Sequence, residues 1–264
     1  MKEIVNGISV FIKGSSKNKA IIFLHGFPYD HTMWQEQTER FSEKYFCISY
    51  DIRGLGESPA GDGQFTMESF IDDLETVIDK LKLEKPVLCG LSMGGYIALR
   101  AIEKMENRFS ALILCDTRSE ADNNEGKLKR AAAVKRINTE GLAPFAGDFI
   151  TNCFGDSFKQ DNKEILEKII ARSSMFDPAG VKGCLLAMLG RNDTTDYLGK
   201  IKIPALVLCG ENDSLTPPLV MKLMAEKIKN ADFVIIKNSG HMSPIENPEQ
   251  VNKAMEKFIG LLEK

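Results

Sequence analysis

The sequence lacks the features that define several large classes of protein. No apolar run in its 264 residues approaches the roughly 20 residues that a membrane-spanning helix needs. The first residues lack the apolar core of a secretory signal peptide. Lys and Arg together number 34 against 37 Asp and Glu, so a basic nucleic-acid-binding surface is not expected. We therefore predict a soluble, cytoplasmic protein whose partners include neither nucleic acid nor membrane.

Residues that form disulfides or bind metals are also few. The chain has six cysteines but no Cys-x-x-Cys motif, and without a secretory signal the pattern favours reduced, buried thiols. The four that lie in or next to short apolar runs are Cys47, Cys89, Cys115 and Cys209. Only three histidines could join them as ligands, so we expect no metal and no cofactor.

Short apolar runs of strand length alternate with segments of helix length. The runs are residues 20–24, 45–50, 86–89, 111–115, 205–209 and 233–236. This alternation predicts parallel strands joined by right-handed crossovers. The dipeptide Asn6-Gly7 favours a tight hairpin turn, which adds two strands at one edge. The predicted fold is therefore α/β, with a mostly parallel eight-stranded sheet flanked by helices.

One stretch breaks the alternation. Residues 118–199 contain no clear strand run, and residues 128–137 and 164–171 have helical patterns. We interpret this stretch as a helical cap inserted into a core made of residues 1–117 and 200–264.

The strongest chemical signal is the pentapeptide 90–94 (Gly-Leu-Ser-Met-Gly). It follows a predicted strand and opens a predicted helix, which is the arrangement of the nucleophile elbow. A turn this tight strains the serine backbone and leaves no room for side chains two residues before and after it. The pattern indicates Ser92 as a catalytic nucleophile.

A serine hydroxyl needs a base to act as a nucleophile at neutral pH. His241 follows the last predicted strand, and we favour it as that base. His25 follows the strand at residues 20–24 and is the alternative. His31 lies in a polar turn, where we expect it to be solvated.

The base in turn needs an acid that orients it. Asp213 and Asp116 both follow predicted strands, and both satisfy the chain order Ser, Asp, His. We prefer Asp213 because its loop precedes the strand that carries His241. Glu211 is a further option.

With these motifs in this order, the chain resembles the α/β-hydrolase family over nearly its whole length. The matching segments are residues 25–28, 51–58, 90–95, 210–213 and 240–241. The resemblance implies an oxyanion hole made by the backbone N–H groups of Phe27 and Met93, with His25 and residues 51–58 as scaffold. Dehalogenases and epoxide hydrolases carry Asp at the elbow, so Ser92 directs the resemblance to carboxylesterases, enol-lactonases, C–C bond hydrolases and perhydrolases. The elbow looks most like those of esterases and enol-lactonases.

The resulting hypothesis is a serine esterase for small to medium uncharged esters, acting as a monomer or homodimer. Trp34, Phe154 and Met188 are predicted to line the substrate pocket. We interpret a basic cluster on the first cap helix as a solvated outer face; if it faced the cleft, it would suit an enol-lactonase for a carboxylated lactone. Its members are Lys127, Lys129, Arg130, Lys135 and Arg136. A ligand receptor with slow hydrolysis is the alternative from another class.

Overall fold

A computed structural model describes residues 1–262, and its centre is one eight-stranded sheet in the order β1-β2-β4-β3-β5-β6-β7-β8. The strands are β1 (Lys2–Val5), β2 (Ile8–Lys13), β3 (Ala20–Leu24), β4 (Phe46–Tyr50), β5 (Val87–Leu91), β6 (Ala111–Cys115), β7 (Ala205–Gly210) and β8 (Ala231–Ile236). Strands β3 to β8 are mutually parallel, and β2 pairs antiparallel with β4. The predicted fold class is confirmed.

The two strands at the start of the chain form the predicted hairpin. Asn6 and Gly7 both have positive φ angles (49° and 84°), as a two-residue turn of this kind requires. Val5 and Ile8 face each other across the turn.

Eleven α-helices within residues 1–262 connect or follow the strands. They are α1 (Gln35–Phe41), α2 (Met67–Lys80), α3 (Met93–Met105), α4 (Asn124–Glu140), α5 (Leu142–Cys153), α6 (Asp156–Asp161), α7 (Lys163–Ser173), α8 (Pro178–Leu189), α9 (Pro218–Lys227), α10 (Ser243–Glu246) and α11 (Pro248–Leu261). The five helices α4 to α8 all lie between β6 and β7, in the stretch without a strand signal. We call residues 118–199 the cap; its separation as a subdomain stays a prediction.

The core lies around the central strands. Every residue of β3 to β7 is buried, whereas β1 and β8 at the two edges are partly exposed. Parallel strands that are buried on both faces have continuous apolar sequences, so their positions could be predicted well from the sequence. The six cysteines are all buried and unpaired. In the part of the chain described, no helix is long and apolar enough to cross a membrane.

The parallel register brings the carboxyl ends of the central strands to one edge of the sheet. Leu24 pairs with Gly90, and Leu91 pairs with Cys115. The loops that follow β3, β5, β6, β7 and β8 therefore meet at this edge, where ligands commonly bind in α/β folds.

Candidate active site

The turn between β5 and α3 holds Ser92 in a strained backbone conformation. Ser92 has φ 52° and ψ −113°, outside the regions that a serine normally adopts. A Cβ atom added at Gly90 would lie 2.3 Å from the Gly94 carbonyl oxygen, and one at Gly94 would lie 2.2 Å from the Leu24 carbonyl oxygen. The turn can form only because both flanking positions are glycine.

Two neighbouring loops pack directly against this turn. Thr117, just after β6, donates a hydrogen bond from its hydroxyl to the Ser92 carbonyl oxygen (2.8 Å). A Cβ at Gly95 would lie 2.4 Å from the Thr117 hydroxyl oxygen, so α3 approaches this loop closely. On the other side, a Cβ at Gly26 would lie 3.5 Å from that of Ser92. The Ser92 backbone is thus fixed from both sides.

His241 and Asp213 meet at the ends of β8 and β7. The His241 Nδ1 lies 2.8 Å from the Asp213 Oδ2, and both side chains are buried. The other Asp213 oxygen accepts from the backbone N–H groups of Leu215 (2.8 Å) and Thr216 (2.9 Å). The Thr216 hydroxyl donates to Asp213 Oδ2 (2.5 Å). These bonds orient the carboxylate toward the imidazole.

The surroundings of Asp213 favour its ionised form. Burial by itself raises the pKa of this carboxyl group. The charge and hydrogen bond of His241, together with the Thr216 bonds, outweigh burial and lower the pKa of Asp213 to about 2. Asp213 therefore carries the negative charge that orients an imidazole and stabilises its cation.

Asp116, the alternative acid, makes different contacts. Its Oδ1 accepts from the Gly210 backbone N–H (2.7 Å), and its Oδ2 lies 2.5 Å from the Ser243 hydroxyl oxygen. Burial and the nearby Asp213 charge raise the pKa of Asp116 well above its ordinary value. Asp116 thus links the loops that carry Asp213 and His241 without bonding the imidazole.

The remaining candidates for base and acid are engaged elsewhere. His25 is buried, and its Nε2 accepts from the Ile52 N–H (2.9 Å) while its Nδ1 donates to the Gly26 carbonyl oxygen (2.8 Å). Burial lowers the pKa of His25, so it stays neutral and structural. The prediction that His31 is solvated is wrong. Its ring stacks on Phe11 with ring centroids 3.3 Å apart, and its Nδ1 donates to the Asp51 carboxylate (2.7 Å). Glu211 pairs with Lys237.

A cavity of about 480 Å³ opens beside these residues, and Ser92 and His241 both line it. No hydrogen bond joins their side chains among residues 1–262. Catalytic hydrogen bonds are often long before substrate binds and tighten in the complex. The structure therefore brings the predicted nucleophile and base to one cavity.

The predicted oxyanion-hole residues lie at the same place. Phe27 follows β3 and lines the cavity, and Met93 is the first residue of α3, directly after Ser92. Among the described residues, neither backbone N–H donates to a protein acceptor. An N–H at a helix N-terminus also carries the positive end of the helix dipole, which favours a developing anion.

The three predicted pocket residues have different positions. Met188 lines the cavity, as do Phe145, Phe149 and Leu185. Trp34 does not: its side chain is fully buried and packs on Phe23 with ring centroids 5.3 Å apart. Phe154 is also buried and stacks on Phe158 (4.8 Å). The prediction is corrected for Trp34 and Phe154, because apolar rings near a site pack inward unless the backbone turns them to the cavity.

Part of the basic cluster on α4 faces the same cavity. Lys129 and Arg130 line it, together with Arg118 from the loop after β6. Lys129 pairs with Glu125 (2.7 Å) and Arg130 pairs with Asp122, while Arg118 donates to the Leu215 carbonyl oxygen. The rim of the cavity is therefore charged, although cap carboxylates balance two of the three cations.

Two groups of residues bring possible metal-ligand atoms within 4.8 Å of one another. They are Asp30, His31 and Asp51, and Asp116, Cys209 and Asp213. Each carboxylate in these groups already accepts hydrogen bonds from protein donors. In both groups the non-carboxylate member donates: the His31 Nδ1 to Asp51 Oδ1, and the Cys209 thiol to the Gly210 and Thr216 carbonyl oxygens. Hydrogen bonds within the protein therefore already engage every atom of the two groups.

Sequence reasoning missed several residues that support the site. Thr216 and Ser243 bond the two aspartates, and Glu246 bonds the backbone on both sides of His241. Thr216 lies three residues after Asp213, the spacing of a local side-chain-to-backbone turn, and could have been found from that signal. Ser243 has no such signal because its partner Asp116 lies on a distant loop. Glu246 bonds two nearby backbone N–H groups, but its link to Gly155 crosses to a distant segment and leaves no local pattern.

Comparisons with known proteins find relatives and solved structures that are similar to this chain over nearly its whole length. A family model described as the alpha/beta hydrolase fold matches residues 19–248. The 3-oxoadipate enol-lactonase 2 of Acinetobacter baylyi is 30% identical over 243 residues, covering 92% of this chain and 89% of that protein. A malate-bound thermophilic esterase from Thermogutta terrifontis is 35% identical with a TM-score of 0.93, covering 100% of this chain and 99% of the other. The enol-lactonase from Burkholderia xenovorans is 26% identical with a TM-score of 0.90, covering 98% and 100%.

Proposed function

The chain belongs to the alpha/beta hydrolase family, and from that premise we propose that this hydrolase is a serine esterase acting through an acyl-enzyme. The observation that carries the proposal is the hydrogen bond between Asp213 and His241 beside a strained Ser92, with serine and imidazole lining one cavity. Strain at a non-glycine residue persists only where surrounding structure enforces it, and it clusters at functional sites.

In the proposed mechanism Ser92 attacks the ester carbonyl carbon while the His241 Nε2 takes the hydroxyl proton. The Asp213 carboxylate accepts the hydrogen bond from the His241 Nδ1–H, which fixes the tautomer and stabilises the imidazolium cation. His241 then donates a proton to the leaving alcohol, and the ester bond breaks. Water attacks the acyl-enzyme with His241 again as base, releasing the carboxylic acid and restoring Ser92.

The backbone N–H groups of Phe27 and Met93 are the proposed donors to the oxyanion. Met93 directly follows Ser92, Phe27 lines the same cavity as Ser92, and neither N–H has a protein acceptor among residues 1–262. Donors that are fixed before reaction stabilise the developing charge without reorganisation, and one such donor is worth roughly 10²–10³ in kcat.

For the substrate, the interior of the cavity favours an uncharged acyl chain. Its apolar lining includes Phe145, Phe149, Leu185 and Met188, which suits small to medium acyl groups. The 35% identical esterase supports ester hydrolysis as the reaction.

Hydrolysis of a carboxylated lactone is the second candidate, with the same triad. Arg118, Lys129 and Arg130 at the cavity rim could pair with a substrate carboxylate, and two 30% identical relatives are 3-oxoadipate enol-lactonases. Because cap carboxylates already balance two of these cations, we place this candidate second.

The test is a screen of aryl acetate, butyrate and octanoate esters and a carboxylated lactone against the wild type, Ser92→Ala and His241→Ala. We expect turnover of the uncharged esters, reduced at least about 10⁴-fold by either substitution. Turnover that survives both substitutions would reject the serine mechanism. A lactone preference that depends on Ser92 would establish the second candidate instead.

A further inference from the structure

The loop that carries His241 is joined to the cap. The His241 backbone N–H donates to the carbonyl oxygen of Cys153, the last residue of α5 (2.8 Å). We call residues 237–242 the histidine loop and residues 153–155 the cap junction. A cap element thus bonds the backbone of the proposed base itself.

Glu246 makes the second connection between these two segments. Its Oε1 accepts from the N–H groups of Gly240 (3.0 Å) and Met242 (3.1 Å), the residues on either side of His241. Its Oε2 accepts from the Gly155 N–H in the cap junction (2.8 Å). One carboxylate therefore accepts hydrogen bonds from three backbone N–H groups in two separate segments.

The two segments also touch through their backbones. A Cβ added at Gly240 would lie 2.6 Å from the Gly155 backbone nitrogen, and one at Gly155 would lie 3.3 Å from the Gly240 nitrogen. The absence of side chains at both positions brings the backbones close enough for one carboxylate to reach all three N–H groups.

We propose that Glu246 is a positioning residue that fixes the His241 ring toward Ser92 and couples its position to the cap junction. The inference rests on the proposed function, because it assumes that His241 is the catalytic base. Glu246 does not line the cavity that contains Ser92, so it acts through the histidine loop and not on the substrate.

The carboxylate at this position is chemically specific. All three partners are N–H donors, and a carboxylate is an acceptor at both oxygens. Glutamine keeps one acceptor oxygen, which can still serve Gly240 and Met242, but its NH₂ group then faces the Gly155 N–H, donor to donor. Glu246→Gln therefore breaks the link to the cap junction selectively, whereas Glu246→Ala breaks all three bonds.

The experiment measures hydrolysis of p-nitrophenyl butyrate by the wild type, Glu246→Ala, Glu246→Gln and the control Gln250→Ala. Gln250 accepts from the Lys237 N–H (3.0 Å) at the far end of the same loop. Rates are normalised to active sites titrated with a fluorophosphonate, so that unfolded protein does not count. The labelling rate of Ser92 is recorded as a second measure of its activation by His241.

We expect Glu246→Ala to lower kcat per titrated site about 10- to 100-fold with KM unchanged, because a displacement near 1 Å is enough to lose that much. Glu246→Gln should lie between Glu246→Ala and the wild type, about 3- to 10-fold down. Labelling rates should fall in parallel, and Gln250→Ala should match the wild type.

Wild-type kcat per site in Glu246→Ala, or a rise in KM alone, would overturn the positioning role. Wild-type kcat in Glu246→Gln would overturn the coupling to the cap, and this variant keeps the test valid if Glu246→Ala fails to fold. Failure of the proposed function looks different: Ser92→Ala and His241→Ala would then retain activity.

Discussion

The carboxyl edge of the sheet and the cap above it are built in opposite ways. At the sheet edge, strands β3 to β7 are wholly buried, and the residues of the proposed triad follow their ends or that of β8. In the cap, α4 buries only Ile137 among its residues and exposes Leu128. Tight packing at Gly90 and Gly94 of the edge admits no side chain, whereas most positions of α4 are exposed and can accept many residues. From this comparison we infer that the edge determines the proposed reaction and that the cap determines its substrate.

The largest expected effect tests the edge. Ser92→Ala should lower kcat on aryl esters by roughly 10⁴–10⁶, because nucleophile and base act as a unit. Steady-state hydrolysis measures the effect, and the exposed Ser110→Ala is the matched control. Residual activity of more than a few per cent would place the chemistry elsewhere.

The second prediction separates the two aspartates. Asp213→Asn should lower kcat about 10⁴-fold, because the amide cannot hold the imidazole in the required tautomer. Asp116→Asn can still accept from Gly210 and donate to Ser243, so its kcat should stay within about tenfold of the wild type. Equal losses in both variants would contradict the assignment of Asp213 as the acid.

The same two variants should differ in their stability against pH. The pKa of Asp213 lies at about 2 in the folded state, below its ordinary 3.8. Its ionisation therefore adds to the free energy of unfolding above about pH 4, and this stabilisation is lost as the pH falls toward 2. Asp213→Asn should therefore cost about 2 kcal/mol at pH 7.

The effect of Asp116 on stability has the opposite dependence on pH. Because its pKa is raised in the folded state, its contribution to the free energy of unfolding is complete below about pH 4 and is lost as the pH rises through the folded-state pKa. Asp116→Asn should thus be as stable as the wild type at pH 7, or more stable. Chemical unfolding from pH 3 to 7 measures both; a stability loss at pH 7 in Asp116→Asn alone would contradict the assignment.

A pair of glycine substitutions compares packing in the two regions. Gly94→Ala forces a Cβ to 2.2 Å from the Leu24 carbonyl oxygen, so we expect a loss of about 3 kcal/mol. Gly147→Ala, inside cap helix α5, meets nothing closer than 3.9 Å and should gain about 0.5–1 kcal/mol from helix propensity. Urea unfolding gives both values, and a destabilised Gly147→Ala would indicate a tighter cap than the structure has.

The last prediction concerns substrate choice. Met188→Ala enlarges the apolar part of the cavity and should raise the octanoate-to-acetate ratio of kcat/KM about tenfold. Trp34→Phe should leave this ratio unchanged, because Trp34 packs on Phe23 outside the cavity. A shift in the ratio with Trp34→Phe and none with Met188→Ala would reverse our correction.

Sequence alone predicted the strand positions, the fold class and the elbow at Ser92. Buried parallel strands are continuous apolar runs, and a strained turn between Gly90 and Gly94 permits few residues, so each leaves a local pattern. One helix was bounded less well: α3 begins at Met93, three residues before its apolar pattern starts at Tyr96, because the glycines between them carry no periodicity.

Only the tertiary structure showed that Asp213 bonds His241 whereas Asp116 bonds Gly210 and Ser243. It turned Trp34 and Phe154 inward and placed Lys129 and Arg130 at the cavity rim. It also joined Glu246 to both the histidine loop and the cap junction. These facts depend on how loops distant in sequence approach one another at the carboxyl edge. The local backbone determines where a nucleophile elbow can form, so the sequence predicts it. The tertiary packing of distant segments determines which side chains meet across a cavity, so only the folded structure shows it.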